Sequence, residues 1–161
     1  MDPSVQKIRY PVQTNPSVIQ FLNSELRAKA NLSVDDEYPS LFREFPGGQS
    51  VYVERGGKIA SHVGFLIREF QHPNFRLRIG LIGSVTTDAA HRGQGLASQL
   101  IREAVADMKR QGCSLAMLWS DKDDFYFPLG FHRAGVETDL RFSFDSVGDA
   151  PEPSIELETP D

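Results

Sequence analysis

One cysteine, Cys113, is all the chain has, so no internal disulfide is open to it. No apolar run is long enough to span a bilayer, and the first ten residues, MDPSVQKIRY, lack the apolar core of a secretory signal. The four histidines, at 62, 72, 91 and 132, fall at no metal-ligand spacing and have no cysteine cluster beside them, so no metal is expected. Positive charge is also short. Against 22 Asp and Glu stand 17 Lys and Arg, a net charge of -5 with a pI near 5.4. Non-specific nucleic-acid binding needs a basic face, which this balance argues against, whereas a cationic partner such as an amine is compatible with it. Repeats and low-complexity segments are missing too. These absences describe a cytoplasmic globular protein with neither membrane nor nucleic acid as partner. Cys113 follows Gly112 where a strand is expected, which suits a buried inert thiol better than a nucleophile.

What is present is ordinary in bulk. With 161 residues, 40% hydrophobic and 24% charged, the chain can bury one core. We expect a single domain over residues 1–147 and an acidic tail over 148–161. Pro151 to Asp161 carries four carboxylates and no basic residue, and reads as a solvated, poorly ordered end. Patterning predicts a strand at Lys7–Val12, then a helix from Asn15-Pro16 to about Ala30, with Asn15 as cap and Val18, Ile19, Leu22 and Leu26 on one face. A short helix interrupted at Pro39 covers Val34–Phe42. Strands follow at Ser50–Glu54, Ile59–Phe70 and Phe75–Val85, with turns at Arg55-Gly-Gly-Lys58 and His72-Pro-Asn74. Further strands are expected at Ser114–Trp119, as a buried run, at His132–Val136 and at Asp139–Asp145. A short helix between the first two is capped by Asp123 or Asp124.

The organising stretch runs from Ser84 to Lys109. A strongly apolar strand ends in a loop, and Arg92-Gly-Gln-Gly-Leu-Ala97 opens an amphipathic helix that stops at Gly112. Leu96, Leu100, Ala104 and Met108 recur at four-residue spacing, with Ala97, Ile101 and Val105 beside them. A strand, a glycine turn and a helix start suit an anion. The first helical N–H groups have no intrahelical partner, the helix dipole is positive there, and glycine keeps side chains out of the way. The dinucleotide fingerprint fails at Ser98, where a third glycine or alanine belongs, and no Gly-Lys-Ser/Thr triplet makes a P-loop.

Arg92-Gly93-Gln94-Gly95-Leu96-Ala97 resembles the acyl-CoA signature Gln/Arg-x-x-Gly-x-Gly/Ala of the GCN5-related N-acetyltransferases, the GNAT superfamily. Downstream, Asp124-Phe-Tyr-Phe-Pro-Leu-Gly-Phe131 is similar to the second hallmark of that family, Tyr126 being followed four and five residues later by Gly130-Phe131. The resemblance is close over Leu77–Phe131 and rests on element order before it. It implies an α/β (α+β) fold: a mixed, mostly antiparallel sheet of about seven strands, splayed between strands 4 and 5 and flanked by about four helices.

The resemblance also implies acetyl transfer from acetyl-CoA, as cosubstrate, to a primary amine by direct attack in a ternary complex. Backbone N–H groups of Arg92, Gly93, Gln94, Gly95, Leu96, Ala97 and Ser98 would hold the pyrophosphate. The main chain of Val85, Thr86 and Thr87 would bond the pantetheine amides, with the Val85 N–H as oxyanion donor and Tyr126 as general acid. A base is not evident, because the strand before the loop has no carboxylate; Glu69, Asp121 and His62 are candidates, and water could serve instead. Asp35, Asp36 and Glu37 lie where an acceptor pocket is expected and could attract a cationic amine, or simply favour a helix start. Acceptors of small-molecule, aminoglycoside-like, peptide N-terminal or lysine type stay open, as does a homodimer. The alternative is a non-catalytic acyl-CoA-binding domain, a sensor or half-enzyme.

Overall fold

β2 (Gln49–Arg55) is buried on both faces of the sheet. Val51 and Val53 are buried on one side and Tyr52 on the other, as a period of two requires. The computed structural model describes residues 5–9, 16–28, 32–43 and 48–135. Contacts divide the chain into two units, Met1–Phe131 and His132–Asp161. The expected boundary at residue 147, the acidic tail and the strand at 139–145 lie outside the described residues. Over the described part of the expected His132–Val136 strand there is none, and Gly135 turns at φ +77°.

Among the described residues, five strands form one sheet in the order β1-β2-β3-β4-β5. β1 (Val5–Arg9), β2, β3 (Lys58–His72) and β4 (Phe75–Thr87) are successive antiparallel neighbours. Gly56 and Gly57, both at positive φ, make the two-residue turn expected between β2 and β3. β5 (Leu115–Met117) returns parallel to β4 and pairs only with Ile79–Leu81. Beyond Leu81, β4 runs on to Thr87 with no β5 partner. The sheet is therefore mixed, mostly antiparallel and splayed between β4 and β5.

Helices cover both faces. α4 (Leu96–Arg110) presses Leu96, Leu100, Ile101, Ala104 and Met108 onto Val51, Val53, Val63, Phe65 and Ile82. It ends at Gln111, where Gly112 (φ +79°) lets the Cys113 N–H reach the Met108 carbonyl and its own N–H reach Lys109, a glycine-terminated helix stop. On the opposite face lie α1 (Pro16–Leu26), α2 (Val34–Glu37) and α3 (Pro39–Phe42). They contribute Val18, Leu22, Val34, Leu41 and Phe42 to a second cluster with Tyr52 and Ile59. The break at Pro39 is as expected. α1 stops at Leu26, short of Ala30, and its expected cap Asn15 lies outside the described residues. The Asn23 side chain accepts from the Val34 N–H at 2.8 Å and donates to Ser33, tying α1 to the start of α2.

The expected buried run in β5 is corrected. Leu115 and Met117 are exposed, while Ala116 and Leu118 pack on the α4 cluster. The strand alternates because α4 covers only one of its faces.

Two glycines set tight approaches of different kinds. A Cβ at Gly48 would lie 2.5 Å from the Leu41 carbonyl oxygen, whereas the nearest atoms to one at Gly80 belong to the movable Met108 side chain, its sulfur at 2.3 Å. Gly48→Ala should destabilise by about 1–3 kcal/mol in urea unfolding and Gly80→Ala by less, because a backbone atom cannot swing aside. Equal losses would contradict this packing.

Candidate active site

Strand β4 changes character three residues before its end. His62 pairs with Thr86 and Gly64 with Gly83, so Ser84 and Val85 together oppose the single residue Val63. This is a β-bulge. Ser84 has φ +51°, and among the described residues no other non-glycine is at positive φ. That conformation costs an L-residue about 1–2 kcal/mol, so neighbouring contacts must hold it.

They are all on the β3 side. The His62 imidazole is fully buried, with Nδ1 2.9 Å from the Ser84 carbonyl oxygen and Nε2 2.8 Å from the Ser50 hydroxyl. A carbonyl only accepts, so Nδ1 carries the proton and Nε2 accepts from Ser50. Burial pushes the His62 pKa down to about 4, the bond with Ser84 partly opposing it, so the ring is neutral. The Ser61 hydroxyl donates to the Thr86 carbonyl at 3.1 Å and lies 2.9 Å from the Thr87 hydroxyl, and the Asp88 N–H bonds the Ala60 carbonyl. Val85, Thr86 and Thr87 are thus pinned from one edge. On the other edge β5 has already ended.

The glycine motif follows a single 3-10 turn, Ala89–His91, which the Asp88 carboxylate caps by accepting from the Ala90 N–H. Gly93 and Gly95 both sit at φ +74°, which explains glycine at both positions. Among the described residues, chain neighbours aside, no atom lies within 4 Å of a Cβ built on either, so the space above them is open. α4 starts at Leu96, later than the motif's first residue, with Gly95 as N-cap and no side chain capping it. Its first backbone bond is Gln99 N–H to the Gly95 carbonyl. The N–H groups of Leu96, Ala97 and Ser98 precede that ladder. Arg92 is exposed, donates to the Thr87 carbonyl at 3.1 Å and pairs with Glu25 of α1 at 3.2 Å, joining strand end, loop and helix. Gln94 is exposed and donates to the Ala90 carbonyl at 3.4 Å.

Tyr126 closes α5 (Asp123–Tyr126), and Gly130 at φ +89° then reverses the chain so that the Phe131 ring packs edge-on against the phenol, centroids 5.9 Å apart. Phe125 packs on it too, at 4.8 Å. The spacing of Tyr and Gly-Phe is the spacing of this turn. Burial raises the Tyr126 pKa, and a hydrogen bond with Ser120 opposes the rise, so the hydroxyl keeps its proton at neutral pH. Tyr126 and Val85 border the same α4 cluster. The N-cap of α5 is Lys122, whose N–H bonds the Ser120 hydroxyl; Asp123 and Asp124 fill the first turn instead of capping it.

Other expected residues lie elsewhere or are already engaged. Glu69 pairs across the hairpin with Arg78, about 20 Å along β4 from Val85 at the usual strand rise, and is exposed beside Arg76. Asp121 is exposed in the loop before α5. His62 faces no solvent. Asp35 and Asp36 pair with Arg43 at 2.6 and 2.7 Å, and Glu37 with Arg27, so this cluster spends its charge within α1–α3 and the turns beside them. The Ser33 hydroxyl, then Arg43, hold the Asp35 carboxyl below its usual range. Cys113 is half-buried, and burial raises its thiol pKa, as an inert thiol requires. Sequence reading missed Ser84, Ser61 and Glu25. Gly83 inside a strand pattern was a signal for a bulge; nothing in the sequence pointed from Glu25 to Arg92.

The Acetyltransferase (GNAT) domain family model matches residues 36–134. The chain is similar to N-alpha-acetyltransferase 30 of Saccharomyces cerevisiae, 34% identical over 67 residues, a match covering 38% of this chain and 38% of the yeast protein. It therefore spans well under two thirds of that relative. Among solved structures, glucosamine-6-phosphate N-acetyltransferase from Arabidopsis thaliana superposes with a TM-score of 0.64 at 18% identity, over 87% of this chain and 99% of that one. A predicted acetyltransferase from Clostridium acetobutylicum, solved with acetyl-CoA, gives 0.66 at 16% identity, over 86% and 96%. At such identities the likeness is one of fold.

The buried imidazole has a signature in acid. An unfolded His62 protonates near its ordinary value of 6.5, while the folded one resists to about 4. Between these values the unfolded state binds more protons, so the contribution of His62 to stability is complete above pH 6.5 and is lost as pH falls toward 4. Between pH 7 and 5 the loss should be about 2 kcal/mol in urea unfolding, and His62→Asn should lack that component. Equal pH slopes in the two proteins would contradict a buried neutral imidazole.

Proposed function

Because the chain belongs to the GNAT acetyltransferase family, we propose that it is a cytoplasmic N-acetyltransferase that passes the acetyl group of acetyl-CoA directly to a primary amine in a ternary complex. The observation carrying this reading is the junction of a bulged strand edge, without a β5 partner beyond Leu81, with a helix start preceded by two glycines that have open space beside them. That donor set fits the cosubstrate: consecutive N–H groups and one guanidinium suit a pyrophosphate, and an open strand edge suits a chain of amides. When bound, acetyl-CoA supplies the activated thioester.

Each part of the chain then has a task. The N–H groups from Gly93 to Ser98, with Arg92, hold the pyrophosphate. To do so Arg92 exchanges Glu25 for phosphate oxygen, a bidentate-capable partner of greater charge. The main chain of Val85–Thr87 takes the pantetheine amides as an added strand. The Val85 N–H donates to the thioester oxygen, a donor fixed in place before charge develops there. Tyr126, whose raised pKa keeps the proton on its hydroxyl at neutral pH, gives it to the departing sulfur. With no carboxylate on the final part of β4 and His62 sealed off, water takes the proton of the attacking amine.

The acceptor class follows the names of the relatives, an N-alpha-acetyltransferase and a glucosamine-6-phosphate N-acetyltransferase: an amine of a peptide or a small molecule. The absent carboxylate also favours a second reading, a non-catalytic acyl-CoA-binding domain, for which the protonated Tyr126 has no use.

Thiol release from acetyl-CoA with free-N-terminus peptides, amino sugar phosphates, aminoglycosides and lysine peptides separates these readings. We expect turnover with one class. Tyr126→Phe should lower kcat by about 10²-fold or more and leave the acetyl-CoA Kd within about threefold. Unchanged kcat would remove Tyr126 as the acid, and binding without any turnover would favour the second reading.

A further inference from the structure

His62 has no part in the chemistry just described, yet it is fully buried and bonded to Ser84, the residue before Val85. Its ring spans three strands: Ser50 of β2 at Nε2, its own β3, and Ser84 of β4 at Nδ1. The space for it is built. A Cβ on Gly64, two residues along β3, would lie 3.4 Å from the His62 Cε1, in van der Waals contact with the ring. Ser50 is buried as well, at 1% exposure, so bulk solvent reaches neither partner of that bond.

The position of the Ser84 contact matters more than its strength. Ser84 is the first of the two residues opposing Val63, and its positive φ turns the peptide group that links it to Val85. That peptide contains both the Ser84 carbonyl and the Val85 N–H. These two groups point in opposite directions across one planar unit, so fixing the oxygen fixes the direction of the hydrogen. A side chain that donates to the Ser84 oxygen from the β3 side therefore aims the Val85 N–H away from β3, toward the open edge.

We propose that His62 is a positioning residue for acyl transfer: its Nδ1–H grips the Ser84 carbonyl and so aims the Val85 N–H at the thioester oxygen. The inference rests on the reading of Val85 as oxyanion donor. Ser50 secures the ring from behind by donating to Nε2, which keeps the proton on Nδ1. A purely structural histidine would need only to fill its space, whereas a positioning one needs a donor at the Nδ1 locus.

Two substitutions distinguish these roles, because an Asn amide nitrogen reaches the Nδ1 position while a Gln amide reaches that of Nε2. Nitrogen-15 spectra of the intact protein at pH 7 should show Nδ1 protonated and Nε2 bare. The Nδ1 proton and the Val85 amide proton should both move when saturating CoA is replaced by acetyl-CoA. In His62→Asn the Val85 response should persist and thiol release stay within about threefold; in His62→Gln the response should disappear and release fall at least about tenfold, with the Gly93–Ser98 amides responding alike in all three. A proton on Nε2, an Nδ1 proton indifferent to the acetyl group, or equal behaviour of Asn and Gln variants would each overturn the proposal, and the first two need no variant. If wild-type protein binds both cofactors with no difference at Val85, the oxyanion reading itself fails, and the tautomer result still reports on His62 separately.

Discussion

Everything at the site depends on one asymmetry of β4: its last residues are fastened to β3 along one edge and abandoned by β5 along the other. A strand left open on both sides would fray, and one paired on both sides would have no edge to offer. The parallel pairing of β5 ends at Leu81–Met117, while on the β3 side pairing continues to Ser61–Thr87 through a bulge. Ser61, His62 and the Ala60 carbonyl supply bonds there. The strained φ of Ser84 persists because these contacts surround it, which is how a fold keeps an unfavourable conformation where chemistry needs it.

Two apolar clusters hold that asymmetry in place. α4 covers one face with its stripe from Leu96 to Met108, and α1–α3 cover the other. The same helix that fills the first cluster begins at Gly95, so its apolar stripe fixes where its unpaired N–H groups lie relative to the end of β4. Arg92 then bridges the Thr87 carbonyl and Glu25, so helix α1 meets the glycine loop through one guanidinium. Packing, in this fold, is what sets the geometry of the polar site.

Local features were the ones most legible from sequence. The Gly56-Gly57 hairpin, the stop at Gly112, the Tyr126–Phe131 turn and the glycine pair at 93 and 95 all depend on backbone conformations that few residues adopt, and each is found where its residues stand. The splay between β4 and β5 came from family resemblance and is present. What escaped depends on partners distant in sequence. Nothing in the spacing of Asp35, Asp36 and Glu37 shows that Arg43 and Arg27 fold back onto them. Nothing about His62 shows it to be sealed between Ser50 and Ser84, where burial removes it from the candidate bases. β5 looked like a buried run because periodicity over three residues cannot separate a covered strand from one covered on a single face.

The claim at the centre of this account is that the loop from Arg92 to Ser98 is where the cosubstrate anchors. Calorimetric titration of the intact protein with acetyl-CoA, beside the same titration of Gly95→Asp, addresses it most directly. The natural chain should bind acetyl-CoA one to one. Binding should be unmeasurable once a carboxylate stands in the open space before α4, with the circular dichroism spectrum unchanged. Undiminished binding by the folded variant, or none by the natural chain, would contradict it.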